Sequence, residues 1–415
     1  MNTDRNFGII SVHQCLSVVK ISLSMNEAPK VLHIITRLDF GGSANNTITT
    51  IDRLRNYNFQ TALAFGPTAD PDNSVRELLT SRKIPFFYLP DLIRNPSPWR
   101  DLSALNGISK LLKKERFDLV HTHTSKAGTL GRLAAHWRGI PAVHTPHGHV
   151  FYGYFRPSVT AFYVCVERRM AHYTARIISL SDNETQESLE RGIGQPEQYA
   201  TIPSGVPLSV FRDIPGNMGM IFRNSLQIPL NALVFLSVGR LVPIKGFDIL
   251  LKAFARADFK GRKVFLLILG DGEERDNLQA LAGQLGITER VRWVGEMRDI
   301  RGALSAADTF VLASRNEGMG RVFIEAMAAG LPVIGTAVGG VPSVIRDHDT
   351  GLLVAGEDPD ALARALVEMA FNGELRQALG RNAANSVFPR YDESTTIARI
   401  AGLYREVLGA QAHRL

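Results

Sequence analysis

"TFVLASRNEGMGRVFIEAMAAGLPVIGT", residues 309–336, reads as strand, turn, helix and strand in quick succession. A β-rich apolar run (309–314) gives way to a glycine-containing turn, then to a helical segment closed by Gly330 and Pro332, then to a second apolar run (332–336). Two strands joined through a helix of this length pair in parallel, because a hairpin needs only a short turn. Within the unit Glu317 precedes the helix and Glu325 lies inside it. Phe323, Ile324, Ala326, Met327, Ala328 and Ala329 make that helix apolar nearly all round, which predicts burial. A carboxylate on a buried helix needs a partner.

The same alternation runs outward in both directions. Short strands are predicted at 31–36, 60–65, 85–90, 117–123, 141–145, 176–181 and 199–205. A second set follows at 233–239, 263–270, 291–295, 309–314, 332–336 and 351–355. Helical segments separate most of them, and near-continuous Val/Ile/Leu strands fit sheets covered on both faces. "SGVPLSVFRDIPGN" (204–217) carries turn residues without a period, so the domain link is placed there. The expected fold is α/β, with two Rossmann-like parallel-sheet domains facing a central cleft. Residues 30–206 form the amino-terminal domain, and 207–390 the carboxy-terminal one. The final helix, within 391–415, has a stripe of Ile397, Ile400, Leu403, Tyr404 and Val407 suited to packing back on the first domain. Ligands in such sheets bind beyond the carboxyl ends of the strands.

The 415 residues are 45% hydrophobic and 21% charged, an ordinary globular balance. Two cysteines, Cys15 and Cys165, exclude a disulfide framework and fit a reducing compartment. No apolar run reaches the ~18 residues of a membrane span. A net charge of +7 favours an anionic partner, while the absence of a basic tail or nucleic-acid module disfavours nucleic acid. Residues 1–29 read as a disordered extension. Asp4, Arg5 and Lys20 interrupt their apolar stretch, no small-residue cleavage site follows, and Met25 stands just before the first strand. A chain starting at Met25 is expected to keep its thermal midpoint and its activity; a large drop in either would show residues 1–24 packing on the fold.

Several loops at strand ends carry candidate chemistry. Gly41-Gly42 precedes a helix and lets a phosphate or sugar approach the backbone. The dinucleotide fingerprint G-x-G-x-x-G is met neither there nor at "LGDGEERDN", where Arg275 takes the third glycine position. "SVGRLVPIKG" places Arg240 and Lys245 after a strand, where a planar fork and a point charge suit a diphosphate as well as they suit solvent. His121, His123, His144, His147 and His149 cluster in two stretches without a cysteine or a nearby acid, which disfavours zinc; such histidines can bond sugar hydroxyls or backbone carbonyls. Asp358-Pro-Asp360 reads as a helix cap, and Asp70-Pro-Asp72 as a turn, not as metal motifs.

Taken in order, Gly41-Gly42, His147, "GRLVPIKG" (239–246), "GDG" (270–272) and the E-x₇-E element Glu317 to Glu325 with "EAMAAGLPVI" resemble glycosyltransferase family 4, the retaining nucleotide-sugar transferases of GT-B fold. The resemblance covers nearly the whole chain from about residue 30. "HTHTSKAGTLGRLAA" and "HTPHGHVFYGYF" look like its bacterial capsule and exopolysaccharide branch. The resemblance implies that Glu317 accepts bonds from the donor-sugar hydroxyls and Glu325 from the ribose diol, with the amides of Gly318, Met319 and Gly320 beside the diphosphate. Arg240 and Lys245 would stabilise the leaving diphosphate, and His147 would contact the donor sugar. It further implies a metal-independent transfer, with no cofactor beyond a nucleotide-sugar co-substrate (UDP favoured) and a lipid-linked glycan acceptor. One departure stands out: Ser343 in "GGVPSVI" occupies a position where many relatives carry Glu.

Two rival readings are a GT-B nucleotide-sugar epimerase and a non-catalytic sugar-nucleotide binder. The epimerase would need acidic catalytic residues where this chain has His147 and the "EGMG" turn. Phe151, Tyr152, Tyr154 and Phe155, followed by a helix expected to carry Arg168, Arg169 and Arg176, suit either local packing or the headgroup layer of an anionic inner leaflet. The expectation is a cytoplasmic enzyme, peripheral on that membrane face.

Overall fold

The computed structural model describes residues 28–38, 42–68, 74–147 and 156–412. Expectations for the extension up to residue 27, and for Gly41, Asp70, Asp72, His149, Phe151, Tyr152, Tyr154 and Phe155, fall outside the described residues.

The first sheet contains β1 (Lys30–Ile35), β2 (Gln60–Phe65), β3 (Phe86–Tyr88), β4 (Leu119–His123), β5 (Ala142–Thr145), β6 (Arg176–Ser179) and β7 (Tyr199–Thr201). The second contains β8 (Leu233–Val238), β9 (Val264–Leu269), β10 (Val291–Gly295), β11 (Thr309–Leu312), β12 (Val333–Thr336) and β13 (Gly351–Val354). Their orders are β3-β2-β1-β4-β5-β6-β7 and β10-β9-β8-β11-β12-β13, with every pairing parallel. Each sheet reverses its winding once, between β1 and β4 and between β8 and β11. These switch points are where doubly wound sheets open a crevice.

Strand alternation assigns the faces of the first sheet. Leu32 and Ile34 of β1 pack with Ala104, Ile108, Leu130 and Ala134 of the helices Pro98–Glu115 and Ser125–Trp137. Val31, Leu119 and Val143 face the other way, against Ile397, Ile400, Tyr404 and Val407 of the helix Glu393–Ala412. That last helix therefore covers the first sheet, although the chain reaches it from the second. His33, His121 and His123 share its face by the same period of two.

The boundary placed at 206/207 lies between β7 and β8, and Val206 bridges to Asp392 where the chain returns. Arg176 opens β6 and does not belong to the basic helix Pro157–Ala171, a correction to the sequence expectation. The helix stops at Ala171 because His172 to Ala175 turn the chain back toward the sheet. Among the described residues no helix is long and apolar enough to cross a membrane.

Candidate active site

Lys245 and Glu317 meet at the second sheet's switch point. The strand β8 ends in Gly239-Arg240, and a single 3₁₀ turn, Pro243–Lys245, brings the lysine over the end of β11. Lys245 Nζ lies 2.5 Å from Glu317 Oε2, and Ser314 Oγ donates to the same oxygen at 3.1 Å. Both charged side chains are mostly covered, 23% and 14% exposed, so water screens the pair less than a surface bridge. Arg315 holds the two loops together by donating to both carboxylate oxygens of Asp248, at 2.8 and 3.0 Å, and to the carbonyl of Pro243.

Glycines allow this approach of backbones. Gly246 has φ 64°, and a Cβ there would stand 1.9 Å from the Ala313 carbonyl oxygen. Gly340 meets the turn after Glu317 as closely: a Cβ would lie 1.8 Å from the oxygen of Gly318, and its amide donates to the oxygen of Glu317 at 2.9 Å. The "GDG" motif plays the same structural part beneath Arg240, because a Cβ on Gly270 would meet the oxygen of Gly239 at 1.9 Å.

The turn between the two glutamates offers donors. No described residue accepts a bond from the amides of Gly318, Met319 or Gly320, and Gly320 caps the helix Arg321–Ala328 with φ 71°. Free amides at a helix start suit an anion. Arg240 is exposed nearby and makes no ion pair among the described residues. Glu325 is mostly covered, its side chain 13% exposed, and Arg321 Nε donates to its Oε1 at 3.1 Å. Burial pushes its carboxyl up, against the opposing pull of Arg321. The partner that a carboxylate on this helix requires is thus in part Arg321, one turn earlier. Ser343 bonds within its own turn: its hydroxyl donates to the Gly340 carbonyl at 2.6 Å. Asp358 caps its helix, accepting from the amides of Asp360 and Ala361.

The first domain contributes Gly42, which opens the helix Gly42–Leu54 after β1, and His147, which follows β5. His147 is held at φ 57°, a backbone region unusual for a side-chain-bearing residue and frequent at functional positions. Its Nε2 lies 2.9 Å from His123 Nδ1. Burial lowers its pKa to about 4, so the ring is neutral at physiological pH. The two halves touch where Asn183, at the start of the helix after β6, donates to the carbonyl of Gly339 at 3.4 Å. Loops at the carboxyl ends of both sheets therefore face one another.

The other histidines divide by strand face. His121 and His123 are buried in the sheet, with His33 beside them, and none reaches solvent to meet a sugar. His144 points to the opposite face, where Nδ1 bonds Thr122 Oγ1 at 2.9 Å. His33, His121 and His123 are the one group of described residues with ligand atoms close enough for a metal, within 4.8 Å. Those atoms already bond one another, Tyr404 and Thr145, as detailed below. Ser314, Arg315, Asp248 and His33 were absent from the sequence reading. "ASRNEG" contained a signal for Ser314, since a hydroxyl between a buried strand end and a glutamate three residues on has that glutamate in reach.

Residues 52–205 match the family model described as glycosyl transferase 4-like domain, and residues 221–386 the model described as glycosyl transferases group 1. The chain is 32% identical over 349 residues to the UDP-Gal:alpha-D-GlcNAc-diphosphoundecaprenol alpha-1,3-galactosyltransferase of Escherichia coli, covering 83% of this chain and 87% of that protein. It is 31% identical to the D-inositol 3-phosphate glycosyltransferase of Thermobispora bispora, over 78% of this chain and 79% of the relative. Among solved structures, Anabaena Alr3699/HepE in complex with UDP and glucose superposes with a TM-score of 0.79 at 22% identity, covering 91% of this chain and 100% of that one. That likeness speaks for the fold, and the sequence relatives speak for the family. The chain belongs to the group 1 glycosyltransferases, with the 4-like amino-terminal domain and the GT-B fold of two facing Rossmann-like sheets.

Proposed function

We propose that this glycosyltransferase moves a hexose from a UDP-sugar to a polyprenyl-diphosphate-linked sugar with retention of anomeric configuration, in the building of a cell-surface polysaccharide. The observation that carries the reading is the Lys245–Glu317 pair beside the free amides of Gly318 to Gly320. This arrangement offers a cation and N–H donors to a diphosphate, and an acceptor-only carboxylate to the hydroxyls of the attached sugar. Glu325 lies eight positions after Glu317, about 12 Å along the chain if all were at helical rise, a span suited to one ligand whose sugar and ribose flank a diphosphate. The E. coli relative uses UDP-Gal and a GlcNAc-diphosphoundecaprenol, which supports both substrate classes.

In the reaction an acceptor hydroxyl attacks the anomeric carbon on the face the diphosphate leaves. The carbon–oxygen bond to the diphosphate breaks, and the departing phosphate oxygen takes the hydroxyl proton. Negative charge grows on that oxygen, and Arg240 and Lys245 meet it; such preorganised charge is commonly the largest catalytic contribution. These two cations do the work that a divalent ion does in other transferases, so turnover is expected to survive a chelator. Incubating the protein with UDP-galactose, with and without undecaprenyl-diphosphate GlcNAc, tests the reading. A lipid-linked disaccharide supports it, an epimerised nucleotide-sugar without acceptor supports an isomerase, and bound but unchanged donor supports a binder.

We place the acceptor side on an anionic membrane surface. The helix Pro98–Glu115 carries Trp99, Leu102, Asn106, Lys110 and Lys113 on one stripe, all exposed, with Trp99 84% open to solvent. Trp137, ending the neighbouring helix, lines the same groove and is followed by exposed Arg138. Apolar rings bordered by cations fit a headgroup layer, each cation contributing about 1 kcal/mol. By contrast, Arg168 donates to the Arg191 carbonyl, Arg169 lies over Tyr173, and Arg176 on β6 pairs with Glu406, so these cations are engaged within the protein. Vesicle co-sedimentation is expected to rise with anionic lipid, fall with salt, and fall again on Trp99→Ser with Trp137→Ser. Phe151→Ser with Tyr152→Ser is expected to weaken use of the lipid acceptor and leave donor affinity intact. Indifference to anionic vesicles together with normal acceptor use would remove the membrane from the account.

A further inference from the structure

A continuous hydrogen-bonded chain runs through the first domain from β5 to His147. Thr145 Oγ1 lies 2.8 Å from His121 Nε2, and His121 Nδ1 lies 2.5 Å from Tyr404 Oη. Tyr404 Oη reaches His33 Nε2 at 3.4 Å, His33 Nδ1 reaches His123 Nε2 at 3.0 Å, and His123 Nδ1 reaches His147 Nε2 at 2.9 Å. Thr145, His121, Tyr404, His33 and His123 are each at most 3% exposed. Four of the links join residues of β1, β4, β5 and the final helix, so the chain exists only when that helix is seated on the sheet.

Burial keeps every imidazole in the chain neutral: the pKa of His33 falls to about 3, and those of His121 and His123 lie well below the usual value. A neutral imidazole has one N–H and one lone pair. Such a chain has only two proton orders, and fixing either end fixes every member. Thr145 decides between them. Among the described residues its hydroxyl oxygen has one partner, His121 Nε2. Were the threonine to accept there, its own hydrogen would be buried without an acceptor, the costly case for a polar group. When it donates, each following donor is used: His121 Nδ1–H to Tyr404, Tyr404 O–H to His33 Nε2, His33 Nδ1–H to His123 Nε2, and His123 Nδ1–H to His147 Nε2.

We infer that Thr145 and Tyr404 are positioning residues that set the tautomer of His147 through this chain, leaving its proton on Nδ1 as a hydrogen-bond donor. The inference deepens the proposed function and rests on it in one respect, that His147 contacts the donor sugar. A ring proton-ordered in this way gives an N–H to a sugar hydroxyl oxygen. It does not present a basic nitrogen there, so His147 orients the sugar and takes no proton from the acceptor. The left-handed backbone at His147 fits a residue held in one orientation by its partner on β4.

Long-range ¹H–¹⁵N correlation on the full chain labelled with ¹⁵N-histidine reads the tautomer directly, without substrate. His147→Gln identifies the His147 signals, and exposed His172, outside the chain, reports an intact fold. The expected wild-type pattern is Nδ1–H at His147. Thr145→Val and Tyr404→Phe, neither of which touches His147, are each expected to convert it to a mixture or to the Nε2–H form, and Thr145→Ser to restore it. An Nε2–H pattern in the wild type overturns the inference. So does an unchanged His147 in Thr145→Val and Tyr404→Phe with His172 unmoved. Turnover in the same variants separates the two readings: a changed tautomer with unchanged kcat and donor KM leaves the chain standing and removes His147 from contact with the sugar.

Discussion

Glu317→Gln and Lys245→Ala are each expected to lower kcat by about 10²–10³, the usual cost of removing one preorganised electrostatic partner from a developing charge. In the proposed reaction Lys245 faces the departing diphosphate, whose charge grows only as the bond breaks. Glu317 is proposed to hold the sugar whose anomeric carbon is reacting, so its loss is expected in the transition state as well as in binding. The two are not independent, because Nζ and Oε2 are 2.5 Å apart. Removing the lysine leaves Glu317 with Ser314 alone, and the remaining carboxylate then repels the diphosphate. The double variant is therefore expected to lose much less than the product of the single losses. Glu325→Gln is the contrast. A ribose contact is shared by ground and transition states, so this variant is expected chiefly to raise the donor KM. Steady-state kinetics on the four proteins checks the set, and equal effects on donor KM alone in both glutamate variants would undo the division of roles.

Below about pH 6 the protein is expected to lose stability steeply. His33, His121, His123, His144 and His147 all have pKa values lowered by burial, to about 3 for His33 and about 4 for His147. In the unfolded chain each titrates near 6.5. Between that value and the folded one, the unfolded state binds protons that the native state refuses, so stability falls as pH falls, by roughly 1.4 kcal/mol per unit for each fully titrating histidine. Glu184 works in the opposite sense. Burial raises it to about 7 from 4.5, so its contribution grows as pH falls through that window and is lost as pH rises through 7. Glu325 is raised by burial as well. The histidines outnumber these carboxylates, and a typical native state holds only about 5–15 kcal/mol in reserve. Urea midpoints by circular dichroism are expected to drop sharply from pH 6.5 to 5. A flat profile across that range would show the histidine cluster open to water.

The fold was legible because its signal is local. Runs such as KVLHII and VFLLIL can only be strands buried on both faces, and the helices between them leave parallel pairing as the outcome. The second-domain site was legible for the same reason. Glu317, the amides after it and Glu325 occupy one turn and one helix, and Lys245 ends a loop next to a strand. What sequence did not disclose depends on register and on distant chain. His33 meets His123 because β1 pairs with β4 in a particular alignment, and Tyr404 arrives from a helix 371 residues further on. The sequence left His121 and His123, at the end of a predicted strand, open to bonding sugar hydroxyls or backbone carbonyls, whereas the period of two buries them beneath the final helix. Gly246, Gly270 and Gly340 look like ordinary turn residues until the carbonyls that press on them are seen. The pairing of Glu325 with Arg321 was open to inspection, being an i,i+4 pair on a predicted helix.

The most direct test of the account is the anomeric configuration of the product that the wild-type protein makes from UDP-galactose and undecaprenyl-diphosphate GlcNAc. One proton NMR spectrum of the released disaccharide reads it from the coupling of the new anomeric proton. The account predicts an α linkage, retained from the α-linked donor and nearly absent from a parallel incubation with Lys245→Ala. A β linkage, or a disaccharide formed equally well without Lys245, would contradict it.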